Sequence, residues 1–181
     1  MGEIKSTIDL VMEKTKHLIM TKDEKSLAKS DFAKQKLNGL IQKFKDGLLT
    51  RDKFGKSLDL IAGETDVKIL PLLLKELLDQ ITLFEDNSRC IELLQNFCGI
   101  SVKELKSALN NFQEDYQSAL RDRIKTSKEE IFQKHGISGS AVVPNLDQDS
   151  QWQKQYQEIC LIHQKILATQ KAYYFSVWSK D

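Results

Sequence analysis

Glycine and proline are scarce in this 181-residue chain, which has eight of the first and two of the second. Both residues break helices and mark turns, so their scarcity favours long helices joined by little loop. The three cysteines, Cys90, Cys98 and Cys160, are odd in number and widely spaced. That pattern is not a disulfide framework, and it favours a reducing compartment.

Long uninterrupted apolar runs are also missing. The opening residues, MGEIKSTIDLVMEKTK, are charged throughout and lack the apolar region of a signal peptide. The most apolar stretch, residues 67–84, is interrupted by lysine, glutamate and aspartate side chains, which a membrane span excludes. The sequence therefore predicts no membrane partner and a cytoplasmic location.

The net charge is only +1, but charge is unevenly spread. Residues 1–45 hold ten lysines against six acidic residues, and residues 59–97 hold three basic residues against eight acidic ones. Two interpretations stay open. The two regions are complementary faces that pack or lie near each other, or the basic region is an arm that binds nucleic acid.

The helical pattern is clearest between Ser101 and Gly136. Ser101 and Glu104 have the spacing of a capping box, and Gly136 is a typical helix stop. The third helix is expected to end at Gly63. The sequence predicts seven helices in an all-α fold, which forms a single all-helical unit over residues 1–181. Its parts are a compact cluster of short helices (20–99) and an extended antiparallel long-helix hairpin or bundle (1–19 and 100–181).

The first and last predicted helices carry apolar residues at alternating spacings of three and four, which is typical of a coiled-coil seam. Such a seam packs on another helix of the same chain or pairs two copies of the protein. The histidine in this seam is either simply tolerated there, or it sets the register or makes the pairing sensitive to pH. The seam positions are Ile4, Ile8, Val11 and Leu18 in the first helix, and Trp152, Tyr156, Ile159, His163, Ile166 and Tyr173 in the last.

The connection between the two long helices is unusually long and apolar for a helix hairpin. It either folds back over the end of the hairpin or forms a docking surface for another molecule. The candidate interaction residues are Gly136, Ile137, Gly139, Val142, Val143 and Pro144.

Patterns for catalysis are weak throughout. The chain has no phosphate-binding glycine loop, no HExxH and no CxxC. Cys160 and His163 have a metal-like spacing, but two ligands do not make a site. The basic cluster on the long helix is neutralised by nearby acids, which favours a salt-bridged surface over phosphate binding. We therefore predict no enzyme, no cofactor, no metal and no small-molecule substrate. That cluster comprises Arg121, Arg123, Lys125 and Lys128 beside Asp122, Glu129 and Glu130.

Two segments, MGEIKSTIDLVMEKT and GISGSAVVPNLDQDSQW, resemble parts of an uncharacterised family of bacterial cytoplasmic all-helical proteins. The resemblance implies a bacterial source and a non-enzymatic protein in the cytoplasm. It implies no activity, cofactor or site residue.

These observations predict a helical interaction or scaffold protein that self-associates through its heptad seams, with a protein partner or itself as the binding partner. The alternative is a nucleic-acid-binding or ribosome-associated protein that uses the basic first 45 residues.

Overall fold

A computed structural model of the chain describes residues 21–178. Within them it contains six α-helices, one 3-10 helix and no strand, so the predicted all-α class is confirmed. The seam of the first predicted helix, Ile4, Ile8, Val11 and Leu18, lies outside the described residues. The helices are α1 (Lys22–Lys45), α2 (Arg51–Thr65), α3 (Ile69–Gln80), α4 (Ser88–Phe97), α5 (Lys103–His135) and α6 (Ser150–Trp178), with the 3-10 helix at Leu146–Gln148.

Contacts group the chain into two compact units that divide between Glu76 and Leu77, inside α3. The predicted division between the compact cluster (20–99) and the long-helix bundle (from residue 100) lies within the second unit. The first unit contains α1 and α2 and most of α3. The second unit contains α4, α5 and α6.

The first unit is built on the contact between α1 and α2. Phe44 and Phe54 meet edge to face with their ring centroids 5.5 Å apart, and both rings are buried. Such aromatic pairs stabilise a core beyond the area they bury. The other buried residues of these two helices include Ala33, Leu37, Leu40, Ile41, Leu58 and Ile61.

The ends of α1 and α2 are set by local signals. Thr21 and Glu24 form a capping box at the start of α1, in which each side chain accepts a hydrogen bond from the other's backbone N–H. The predicted end of the third helix at Gly63 is wrong. Gly63 lies inside α2, and Asp66 ends the helix in the left-handed conformation (φ 55°) that aspartate tolerates better than most residues.

In the second unit, α5 and α6 pack along each other in opposite chain directions. Residues early in α5 contact residues late in α6: the Tyr174 hydroxyl donates a hydrogen bond of 2.9 Å to Glu104. Burial and this bond raise the pKa of Tyr174 to about 12.

The predicted C-terminal end of α5 is confirmed, whereas its predicted N-terminal capping box is wrong. Gly136 ends the helix at φ 68°, as its pattern predicted, and its N–H donates to Phe132 O at 2.8 Å. The predicted capping box is absent, because α5 begins one residue later, after Val102, and no side chain caps it. The Glu104 carboxylate instead accepts the bond from Tyr174.

Candidate interaction surface

Aromatic side chains fill the contact between α5 and α6. Phe112 is 1 % exposed, and the edge of Phe84 meets it at 5.1 Å between centroids. Tyr116 lies 6.0 Å from Trp152 and 6.0 Å from Tyr156. Two members of the predicted seam, Trp152 and Tyr156, are therefore engaged within the chain.

His163 lies at the same contact and is 6 % exposed. Its Nε2 atom is 2.9 Å from the Asp115 carboxylate, and its ring meets Phe112 edge-on at 5.5 Å. Its Nδ1 atom is buried with no hydrogen-bond partner among the described residues. Cys160, one turn earlier, is also buried, and residues 21–178 contain no group of three His, Cys, Asp or Glu that could hold a metal ion.

The predicted seam of α6 divides after His163. The inner face continues through Leu167 and Tyr174, which are 5 % and 6 % exposed, whereas Ile166 and Tyr173 are 41 % and 58 % exposed. An α-helix has 3.6 residues per turn, so a strict seven-residue pattern drifts about 20° per repeat around a straight helix. The drift carries the later seam positions out of the contact with α5.

The exposed positions form a second apolar face, which we call the α6 stripe: Ile162, Ile166, Tyr173 and Val177. At 100° per residue these four side chains fall within a 60° sector of the helix. They are 57 %, 41 %, 58 % and 46 % exposed, and Ile159, at the stripe's start, is half-buried. A helix with one apolar face towards its neighbour and another towards solvent has an unfilled contact surface.

Charged residues border the α6 stripe on both edges. Lys165 lies about 60° from Ile162 on one side. On the other side, 100° from Ile162, His163 bonds Asp115, whose side chain is 65 % exposed. The two edges thus carry charges of opposite sign at nearly the same height along α6.

A part-buried ion pair holds the start of α6 against α5. The Arg123 guanidinium donates from Nε to Oδ2 of Asp149 at 2.5 Å and from Nη1 to Glu130 at 3.1 Å. Both the Arg123 and Asp149 side chains are only 11 % exposed. Oδ1 of Asp149 accepts from the backbone N–H groups of Gln151 and Trp152 and so caps α6.

The pKa values of this pair follow from its contacts. Burial alone would raise the pKa of Asp149, but the hydrogen bonds from Arg123 and from two backbone N–H groups outweigh it and hold the pKa below its usual value. The bond to Asp149 raises the pKa of Arg123 against the effect of burial. Both groups are therefore charged near neutral pH.

The predicted interaction loop lies between Gly136 and this ion pair. Gly136 and Gly139 both have positive φ, Ile137 is 55 % exposed and Val143 is 85 % exposed, whereas Val142 and Pro144 are half-buried. The loop and α5 line an open groove of about 670 Å³. Its lining residues are Ile124, Lys128, Ser140, Val142, Val143, Pro144, Asn145, Leu146 and Asp147.

The sequence missed two features. The Arg123–Asp149 pair joins residues 26 positions apart. The one related signal in the sequence is Asp149 itself, since aspartate is a common N-cap and it directly precedes the helix that begins at Ser150. Glu130, which the sequence placed beside Arg123, is its second partner. The α6 stripe was concealed inside one continuous heptad pattern.

In comparisons with known proteins, no family model, curated protein or solved structure matches the chain. Among the described residues, no helix is both long and apolar enough to cross a membrane.

Proposed function

We propose that this protein is a non-enzymatic helical interaction protein that self-associates, and that two copies meet through the α6 stripe. The observation that carries the proposal is the second apolar face of α6. Its four residues remain about half exposed although the adjoining face of the same helix already packs against α5.

A second copy is the occupant that fits this surface best. The α6 stripe spans 16 residues from Ile162 to Val177, which rise by about 22 Å along the helix. An identical stripe laid beside it in parallel covers all four apolar residues of each copy. Two charged residues of α6 lie near the stripe, Lys165 at its edge and Glu158 one turn before Ile162 on the same side, whereas Lys171 lies on the far side of the helix at 100° per residue. No row of like charges opposes the approach.

Charge at the two edges supports the same arrangement. In a parallel pair with twofold symmetry, the edge that carries Lys165 in one copy faces the edge that carries Asp115 in the other. Both residues lie near the level of His163, so two Lys165–Asp115 pairs form across the twofold axis. Exposed pairs of this kind contribute little affinity, but they fix partner and direction.

The pairing is weak by this account. Full burial of an aliphatic side chain stabilises by about 1.5–3 kcal/mol, so covering the exposed half of four side chains in each copy contributes about 6–12 kcal/mol. Association costs about 4–15 kcal/mol in lost freedom. We therefore expect monomer and dimer to coexist at micromolar or higher concentrations.

Sedimentation equilibrium of the full chain over a wide concentration range tests the proposal. The expected result is a reversible rise in mass from one copy towards two. A chain that stays monomeric at about 1 mM, or one that forms open-ended assemblies, contradicts it.

Charge reversal tests whether the partner is a second copy. Lys165→Glu should weaken the dimer because it places two acidic residues at each edge contact. The double variant Lys165→Glu/Asp115→Lys should recover the dimer, since the pair is restored with opposite signs. If the double variant is weaker than Lys165→Glu alone, the assigned direction is wrong.

A further inference from the structure

A separate groove lies in the first unit, between α1 and α2, and encloses about 420 Å³. Leu40 and Ile61 form its apolar floor and are each 7 % exposed. Leu60 stands at its edge with 66 % of its surface exposed. An exposed leucine beside an apolar floor is unusual in a surface that contacts only water.

Gly39 also lines this groove, and neither its backbone conformation nor its packing requires a glycine. It lies within α1 and its φ is not positive, so the helix does not require glycine there. A Cβ atom built on Gly39 would meet nothing within 4 Å. Glycine in a helix interior costs about 1 kcal/mol relative to alanine. The residue therefore weakens α1 and leaves an opening beside Leu60 that another molecule can fill.

Basic residues surround the groove. Lys36 and Lys43 of α1 line it, and Glu64 of α2 is the acidic residue of the lining and pairs with Lys36. Lys53 and Lys56 lie two turns and one turn before Leu60 on the same side of α2. Asp46 lies two turns after Gly39 on the same side and accepts a hydrogen bond from Gln42. The groove and its surroundings thus offer four lysines, one of them paired with Glu64, against two acidic residues around an apolar floor.

We propose that this groove binds an amphipathic helix from an acidic partner protein. Apolar side chains of the partner, spaced three and four apart, would sit over Leu60 and in the opening at Gly39, and its carboxylates would face the lysines. The apolar floor favours such a helix over nucleic acid. The nearest exposed aromatic ring, Phe32, is already covered by the Lys36 ammonium at 4.6 Å from its centroid.

A synthetic helix tests the proposal directly. The probe is a labelled peptide with leucines at positions i, i+3, i+4 and i+7 and glutamates elsewhere, and its control has lysines in place of the glutamates. Fluorescence anisotropy with the full chain should detect binding of the acidic peptide alone, and added salt should weaken it.

Two glycine variants separate docking from folding. Gly39→Leu fills the groove and should raise the peptide Kd by roughly tenfold or more. Gly63→Leu is the matched control: Gly63 lies inside α2, also with nothing within 4 Å of an added Cβ, but points about 60° away from Leu60 and about 160° away from Ile61 in the groove floor. It should leave the Kd unchanged, and neither variant should lower the thermal midpoint.

Several results would overturn the proposal: no binding of the acidic peptide, equal binding of both peptides, or equal effects of the two glycine variants. Tighter binding of an RNA or DNA duplex at the same groove would reassign it to nucleic acid. Thiol labelling of Leu60→Cys without peptide tests the remaining occupants, because Cys90, Cys98 and Cys160 are buried. Protection at every protein concentration would indicate the chain's own residues, and protection only at high concentration would indicate a second copy.

Discussion

The Asp149 carboxylate both pairs with Arg123 and caps α6, and two substitutions separate these contributions to stability. Asp149→Asn keeps an oxygen that caps α6 but removes the charge that pairs with Arg123, whereas Asp149→Ala removes both. Hydrogen bonds to charged groups contribute about 1.5–3 kcal/mol, and Arg123 retains Glu130, so we expect Asp149→Asn to cost about 1.5–2 kcal/mol. Loss of an aspartate N-cap adds about 0.5–2 kcal/mol, so Asp149→Ala should cost about 2–4 kcal/mol.

Urea unfolding followed by far-ultraviolet circular dichroism measures both losses. The control is Glu92→Gln in the Arg89–Glu92 pair, whose side chains are 49 % and 38 % exposed. Exposed pairs contribute little, so that variant should stay within about 0.5 kcal/mol of the native chain. The account of the part-buried Arg123–Asp149 pair is refuted if Asp149→Asn costs no more than this control.

The loss should also depend on pH in one direction. Because the folded chain holds the pKa of Asp149 below its ordinary value of 3.8, the stabilisation is fully present above that value. It is lost as pH falls through the lower folded pKa. The difference in unfolding free energy between the native chain and Asp149→Asn should therefore be constant near neutrality and shrink in acid. A difference that grows on acidification would contradict the assigned direction.

Four further substitutions test the packing, each measured by urea unfolding. His163→Leu should change the unfolding free energy little or raise it by up to about 1 kcal/mol. The substitution removes the unpartnered buried Nδ1 and leaves Asp115 in water. A loss of unfolding free energy above about 2 kcal/mol would contradict this. Phe112→Ala should cost about 3–5 kcal/mol because the ring is 1 % exposed and central to the aromatic contact, and a cost below about 2 kcal/mol would show that the contact is loose. Gly136→Ala should lower the unfolding free energy by about 1 kcal/mol, because it forces alanine to φ 68°. Gly39→Ala should raise it by about 1 kcal/mol, because alanine is the better residue in a helix interior.

Local signals in the sequence predicted most of the helices. Gly136 ends α5 as its pattern indicated, and the exposed start of α1 follows from its lack of apolar residues. Relations across long distances were not predictable. The pairing of Arg123 with Asp149 depends on the packing of α5 and α6, and nearer acids offered equally good partners. The division of the α6 seam depends on how straight the helix runs, which its residue spacing alone does not reveal.

The same reasoning applies to the interaction surfaces. Sequence spacing placed Ile166 and Tyr173 on one seam with Trp152 and His163, but burial assigns the two pairs to different faces of α6. No sequence pattern marked Gly39 as part of a binding surface, because a glycine in a helix becomes informative only when the space around it is known. Both proposed surfaces are defined by side chains that stay exposed beside a packed core.

Neighbouring residues of α6 provide the most direct test of self-association. Ile162 and Leu161 are 57 % and 54 % exposed, but they point about 100° apart, and only Ile162 belongs to the α6 stripe. Sedimentation equilibrium should show that Ile162→Lys raises the dimer Kd by about thirtyfold or more, since each copy loses about 1 kcal/mol of burial. Leu161→Lys should dimerise like the native chain. Equal effects of the two substitutions, or a larger effect at Leu161, would contradict the claim that the copies meet through the α6 stripe.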